Sequence, residues 1–336
     1  MPRHYQLHIT KESWPIAGSF RISREERKVA EVLVLQLSDG TYTGRAECVP
    51  YRHYGETPDK VMEQLLAFAE RLNKGGEEEV NMARSLGVSA RNALDCALWD
   101  LAAKRKGSPV WSLLRLPKPE ARRCTHTISL NTPEVMAARA VLLAHLPLLK
   151  VKLGGPDDAE AIAAVREAAP HSTLLVDANE GWAAATIEEH FAACHAAGVA
   201  LIEQPLPAGK DRLLEHIPHP VPLCADESFH SLSDLEQASR RYEAVNIKLE
   251  KTGGLSHAVT CLLEARTQGL LVMVGCMLGT SLAMAPAWLL AAAADYVDLD
   301  GPVLLEKDRE GGFRYDAGNM YPAPPGFWGD PQGFIP

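Results

Sequence analysis

Through the C-terminal two thirds of the chain, one short apolar run after another ends on a charged residue. The runs Leu148–Leu153, Thr173–Asp177, Val199–Glu203, Val221–Asp226, Ala244–Leu249 and Tyr296–Leu299 carry Lys152, Asp177, Glu203, Asp226, Lys248 and Asp298 at or near their carboxyl ends. Successive charges stand 22 to 26 residues apart, with one double gap before Asp298. The run Leu270–Cys276 fills that gap and Thr125–Leu130 precedes the series, which makes eight. Between the runs, Ala159–Ala169, Thr186–Ala197, Leu232–Arg241 and Ser256–Gln268 have helical composition. Strands alternating with helices imply parallel βαβ units. Eight units predict an α/β fold, a closed (β/α)8 barrel of the TIM type over residues 120–305. Such a barrel keeps its chemistry at the carboxyl ends of its strands, so these charges converge on one mouth.

Residues 1–115 have a different rhythm. Strands are expected at 5–10, 28–37 and 42–50, with Ser38-Asp39-Gly40 as a turn. Thr57-Pro58 reads as a helix start. That helix is expected to run to about Asn73, with Gly75-Gly76 as its stop, and a second to run from Ser89 to Gly107. The pattern predicts an α+β capping domain. Residues 306–336, rich in Gly, Pro and aromatics, are expected to pack on that domain as an irregular tail.

Composition excludes several classes. The 336 residues include 34 Lys and Arg against 43 Asp and Glu, a net charge of −9. The densest basic run, Arg21 to Lys28, is broken by Glu25 and Glu26, which argues against nucleic-acid binding. The seven cysteines have no CxxC spacing and lie among apolar neighbours, as reduced thiols of a cytoplasmic protein do. Met1–Phe20 lacks the apolar core of a signal peptide. Gly269–Ala294 is uncharged and long enough to span a bilayer. Gly275, Gly279, Thr280, Ser281 and Pro286 interrupt it, and no Lys or Arg cluster flanks it. A buried strand, a turn and a buried helix fit better.

The chemistry follows from the charges. A lone acid after a strand is often a helix N-cap. Three carboxylates at consecutive strand ends, Asp177, Glu203 and Asp226, would instead repel one another in a partly dry cavity. A divalent cation relieves that repulsion, and all-oxygen ligation suits Mg2+. Lys150 and Lys152 share one strand face and need anions nearby. Crowding is expected to depress a lysine pKa there and make a base. Lys248 ends the sixth strand, opposite the second, so it and Lys152 flank the cation. Two bases on opposite faces of one carbon suit a 1,1-proton transfer. Asp298 and Asp300 repeat the same-face spacing. They are either further ligands or the receptor for a cation, and a substrate ammonium is the better partner.

These residues resemble the enolase superfamily, in its muconate-lactonising subgroup. The likeness rests on the KxK, the three acids, Lys248 with Lys251-Thr252-Gly253-Gly254, Arg91–Asp100, Val176–Glu180, Glu203–Pro207, Ala225–Ser228, Gly275–Leu278 and Asp298–Pro302. It covers nearly the whole chain, and the DxD of Asp298 and Asp300 resembles that of dipeptide epimerases. The resemblance implies one Mg2+ per subunit on Asp177, Glu203 and Asp226, with the substrate carboxylate bound to it. It implies Lys152 and Lys248 as the acid/base pair and Lys150 as the neutraliser of an enediolate. It implies Asp298 and Asp300 as the ammonium site and Thr127 against the substrate backbone. Arg24 falls where an arginine for a substrate carboxylate is implied, and its fork suits a Glu side chain. The implied reaction is epimerisation of a dipeptide such as L-Ala-D/L-Glu, in murein peptide recycling, by a cytoplasmic oligomer. Another dipeptide specificity, or a lyase or cycloisomerase reaction through the same enediolate, uses the same lysines. Two departures stand out. Glu25 and Glu26 replace smaller residues beside Arg24, and Gly279 stands where many members carry an acid, which argues against the N-acylamino-acid racemases.

Overall fold

A computed structural model describes residues 5–73 and 85–332. Three strands open the chain: β1 (Gln6–Arg21), β2 (Glu26–Ser38) and β3 (Thr43–Cys48), paired antiparallel in that order. β1 runs well beyond the expected 5–10. Pro15 does not stop it, because β1 is an edge strand and a missing N–H there leaves no central ladder broken. The register slips between Pro15 and Phe20.

Helix α1 (Pro58–Asn73) begins as the sequence indicates, with the Thr57 carbonyl accepting from the Val61 N–H. The expected stop at Gly75-Gly76 lies outside the described residues. Helix α2 (Val88–Lys106) ends on Gly107 in the left-handed conformation, with Lys104, Arg105 and Lys106 in the last turn where the helix dipole favours cations. It lies across the sheet and seats its Asp95 on the barrel, accepting from the Ser256 N–H at 2.9 Å and the Ser256 hydroxyl at 2.6 Å. Gly254 permits this approach, since a Cβ there would stand 2.7 Å from Asp95.

The rest of the chain is an eight-stranded parallel sheet, curled as in the TIM-type barrels. A two-residue strand β4 (Arg122–Arg123) precedes it. Its strands are β5 (Thr127–Ile128), β6 (Leu148–Lys152), β7 (Thr173–Asp177), β8 (Val199–Glu203), β9 (Leu223–Ala225), β10 (Ala244–Ile247), β11 (Leu271–Gly275) and β12 (Tyr296–Asp298), in sequence order. The Thr125 N–H donates to the Val297 carbonyl at 2.9 Å, so the first and last strands meet. Helices α3 (Pro133–Leu143), α4 (Asp158–Ala168), α5 (Ile187–Ala196), α6 (Leu235–Arg241), α7 (Leu255–Thr267) and α8 (Ser281–Trp288) cover the outside. The uncharged stretch 269–294 is β11, a turn and the buried α8, and no described helix is long and apolar enough to cross a membrane. All seven cysteines are free.

The tail contacts both bodies. Its strand β13 (Arg314–Asp316) pairs with β14 (Asn319–Tyr321), which pairs in turn with β4 before the barrel's first strand. Trp328 donates to the Arg45 carbonyl in β3, and the Glu306 N–H donates to the Pro15 carbonyl in β1 at 2.9 Å.

Candidate active site

The barrel interior is layered by the two-residue period of its strands. Leu148, Leu175, Leu201, Cys224, Ala244 and Met273 form a buried apolar plug. Two residues further along each strand the same face carries Lys150, Asp177, Glu203, Asp226, Asn246 and Gly275. Lys152 and Lys248 come one step higher. The convergence expected from the spacing is found: with Asp298, seven charged side chains meet above an apolar floor.

Asp177, Glu203 and Asp226 are buried, and each offers an oxygen within 4.8 Å of the others. Lys150 Nζ lies 2.6 Å from Asp298 Oδ2, 2.5 Å from Glu203 Oε2 and 3.2 Å from Asp177 Oδ2. Lys152 Nζ pairs with Asp177 Oδ2 at 2.6 Å, and Lys248 Nζ with Asp226 Oδ2 at 2.6 Å. Each acid/base candidate therefore leans on a different member of the acidic trio.

The charge balance corrects one expectation. Crowding does not depress Lys150 or Lys248. Burial works against the charges of Lys150 and Lys248, but the surrounding carboxylates outweigh it and hold both well above the usual range. The carboxylates divide unequally. Burial would raise Asp177, yet Lys152 and Lys150 hold it low, and Lys248 and Lys251 do the same for Asp226. Glu203 is pushed up to about 8 by burial and by Asp177. The trio thus resists its third negative charge. Glu203 Oε2 accepts no aligned hydrogen bond despite its nearness to Lys150. A buried oxygen trio with one underused acceptor is a donor set for one Mg2+.

The DxD is split. β12 ends at Asp298, and Asp300 lies in the following turn. The cation facing Asp298 is Lys150, and its other oxygen accepts from the Thr125 hydroxyl at 2.6 Å. Asp300 accepts from the buried Thr127 N–H at 2.7 Å and is pushed up to about 6 by burial and by Asp298.

Over the mouth, β1–β2 contributes Arg24. Its guanidinium donates to Glu180 at 2.6 Å, to Glu227 at 2.7 Å and to the Asn179 carbonyl at 2.9 Å, leaving the side chain 25% exposed. Glu25 pairs with Arg27 at 2.6 Å, so its charge is not turned on Arg24 uncompensated, and Glu26 is exposed. Tyr51 and Tyr54 line the same small cavity as Lys152, Lys248 and Arg24. At Gly279 a Cβ would stand 2.9 Å from Glu47 Oε1, a buried carboxylate of β3 that also pairs with Arg309 at 2.8 Å. A carboxylate of the capping domain thus stands against the position of the Gly279 departure. A larger cavity of about 820 Å3 lies between the tail and α8, lined by Trp111, Trp288, Phe313 and Trp328, away from all these charges.

Sequence reasoning assigned no role to four side chains of the site. Asn246, fully buried, donates to Glu203 Oε1 at 2.7 Å. Gly275 makes room for it, since a Cβ would approach Asn246 Oδ1 to 2.5 Å. The two-residue step back from Lys248 could have found Asn246. Glu227 directly follows Asp226 and Glu180 stands three residues after Asp177, and only the arginine shows what they hold. Lys251 reaches Asp226 from behind.

Residues 4–115 match the family model described as mandelate racemase / muconate lactonizing enzyme, N-terminal domain, and residues 135–327 match enolase C-terminal domain-like. The chain is 43% identical to the L-Ala-D/L-Glu epimerase of Escherichia coli (strain K12), over 94% of this chain and 99% of that one. It is 45% identical to an N-acetyl-D-glutamate racemase of Pseudoalteromonas sp, over 89% and 95%. Among solved structures, it superposes with a TM-score of 0.93 and 46% identity on an enolase family member from Agrobacterium tumefaciens, with 97% of this chain and 100% of that one covered. That structure is described as having homology to dipeptide epimerases and holds sodium and L-Ala-L-Glu with an ordered loop.

Proposed function

Because the chain belongs to the mandelate racemase / muconate lactonizing enzyme family of the enolase superfamily, we propose that it is an isomerase, a Mg2+-dependent dipeptide epimerase with L-Ala-D/L-Glu as its first substrate. One observation carries the reading. Lys152 and Lys248 face one cavity from opposite walls, each paired with a different carboxylate of one cation site. A lyase or cycloisomerase reaction through the same enediolate would use the same lysines. Two opposed ammonium/amine groups also allow a carbon to lose its proton to one face and regain it on the other.

The residues divide the work. Asp177, Glu203 and Asp226 would hold the cation. When bound, it would polarise the substrate carboxylate and offset the acidic charge that holds Lys150 and Lys248 high. Lys152 removes or returns the α-proton on one face, and Lys248 does so on the other. Lys150, held by Glu203 and Asp298, places a fixed positive charge where the carboxylate gains charge during proton removal. Asp300 receives the ammonium of the N-terminal residue, with Asp298 beside it, and Thr127 lies against the peptide backbone. Arg24 meets the acidic side chain. Residues 1–115 would choose the side chain, 120–305 would carry the chemistry, and 306–336 would tie the two. The reading extends to a cytoplasmic enzyme of murein peptide recycling, assembled from identical copies.

The test is solvent exchange. The protein is incubated in D2O with Mg2+ and a panel of L,L-dipeptides that includes L-Ala-L-Glu. Deuterium at the C-terminal α-carbon, with the L,D-epimer appearing, is the expected result. No label in any dipeptide, from folded and metal-loaded protein, overturns it. A second reading follows from Asp298: with Lys150 and Thr125 satisfying it, the ammonium site rests mainly on Asp300. N-acetyl-glutamate, which carries no ammonium, belongs in the same panel. Faster exchange in that substrate than in any dipeptide favours the racemase reading.

A further inference from the structure

Lys251 is a buried ammonium that the proposed reaction does not use. Its side chain is 0% exposed. Nζ lies 2.5 Å from Asp226 Oδ1, 2.6 Å from the Asp226 carbonyl oxygen and 2.9 Å from the Asn246 carbonyl oxygen. Three N–H donors meet three acceptors, so this lysine has nothing left to offer a substrate. It also has no path to one, because it stands behind Asp226 while Lys248 stands in front.

The consequence falls on Asp226. Lys251 holds Oδ1, and Lys248 holds Oδ2 at 2.6 Å. The same ammonium ties the carboxylate to its own backbone carbonyl and to β10, so neither χ angle of Asp226 can turn without breaking a charged hydrogen bond. Without Lys251, Oδ1 loses its anchor and both oxygens become available to Lys248. The carboxylate would then swing toward the lysine and away from Asp177 and Glu203. A nearby ammonium also repels a cation, and that effect acts in the opposite sense. Orientation is expected to win. The charge of Lys251 is spent on an anion in contact with it, whereas the aim of a ligand oxygen is fixed by nothing else on that side.

We propose that Lys251 is a positioning residue for the cation site, fixing the aim of Asp226. The inference rests on the reading of Asp226 as a ligand. The test is Mg2+ affinity of the full chain, followed by thermal shift and calorimetry without substrate. Lys251→Met is expected to bind Mg2+ about tenfold more weakly than the parent, the range seen when groups behind a ligand are removed. Equal or tighter binding by the folded variant overturns the proposal, even where its Tm has fallen, because a merely structural lysine would lower Tm alone. If the methionine leaves no folded protein, Lys251→Gln, which keeps a donor and removes the charge, carries the same comparison. A parent that binds no Mg2+ at all overturns the ligand reading itself, a different outcome from a variant that matches a binding parent.

Discussion

The two walls of the mouth are built on one plan with different geometry. On each, a lysine facing the cavity shares its carboxylate with a second, more deeply buried lysine. Lys152 shares Asp177 with Lys150, and Lys248 shares Asp226 with Lys251. On the first wall both lysines stand on β6, two residues apart, so both point inward and Lys150 also reaches Glu203 and Asp298. On the second wall the chain leaves β10 after Ile247 and makes a single helical turn over 249–252. Its helper lysine therefore lies behind the carboxylate, bound to backbone. The same pair of charges serves the reaction centre on one wall and the scaffold on the other.

The largest effect should separate the two walls themselves. Lys152→Ala and Lys248→Ala are each expected to lower epimerisation by about 10^3-fold. Each should keep α-proton exchange from one epimer only, and the epimers should differ. Mass spectrometry of the L,L- and L,D-dipeptides in D2O reads this, and loss of exchange from the same epimer in both variants breaks the opposition. The helpers come next. Lys150→Met is expected to cut kcat by about 100-fold with Mg2+ affinity little changed, the reverse of the pattern for Lys251→Met. Steady-state kinetics beside Mg2+ titrations would show whether the difference in geometry is a difference in role.

Glu250 adds a pH signature to the second wall. Burial pushes this carboxyl up to about 7 from an ordinary 4.5. Its folded value is the higher one, so the stability it contributes is complete below 4.5 and is lost as the pH rises through 7. The shift corresponds to at most about 3 kcal/mol. Glu250→Gln should flatten the fall in Tm between pH 5 and pH 8, and a fall as steep as the parent's would place the pH dependence elsewhere. The smallest effect concerns the cap. Arg24→Met should raise KM for L-Ala-L-Glu by about tenfold and spare a dipeptide ending in a neutral residue. An equal rise for both would make Arg24 a fastener between cap and barrel, held by Glu180 and Glu227.

Periodicity made the barrel legible. β7 and β8 begin and end where the apolar runs do, at Thr173–Asp177 and Val199–Glu203. The same two-residue step brought Lys150 and Lys152 to one face. It could not reach Lys251, because the chain changes from strand to helical turn at Lys248 and the relevant spacing becomes three. Glu180 and Glu227 were hidden for another reason. They lie in loops, where no period sets direction, and their partner Arg24 is 156 and 203 residues away in sequence. The first strand was read too short because Pro15 and Gly18 break a strand in the middle of a sheet but not at its edge. The raised Lys150 is not legible in the sequence because Asp298, Glu203 and Asp177 come from three other strands, and their sum against burial is set only by the fold.

The seam of the barrel orders these events in time. Asp298 and Asp300, from the last strand and the turn after it, bond Thr125, just before the first, and Thr127 within it, and Asp298 also holds Lys150. A ribosome delivers residue 150 long before residue 298. In the nascent chain Lys150 therefore has only Asp177 and Glu203 to meet, and the ring has no closing strand. The ring closes only once residue 298 has been made, and a prematurely terminated product that lacks β12 would carry Lys152 and Lys248 without the closed ring that aims them.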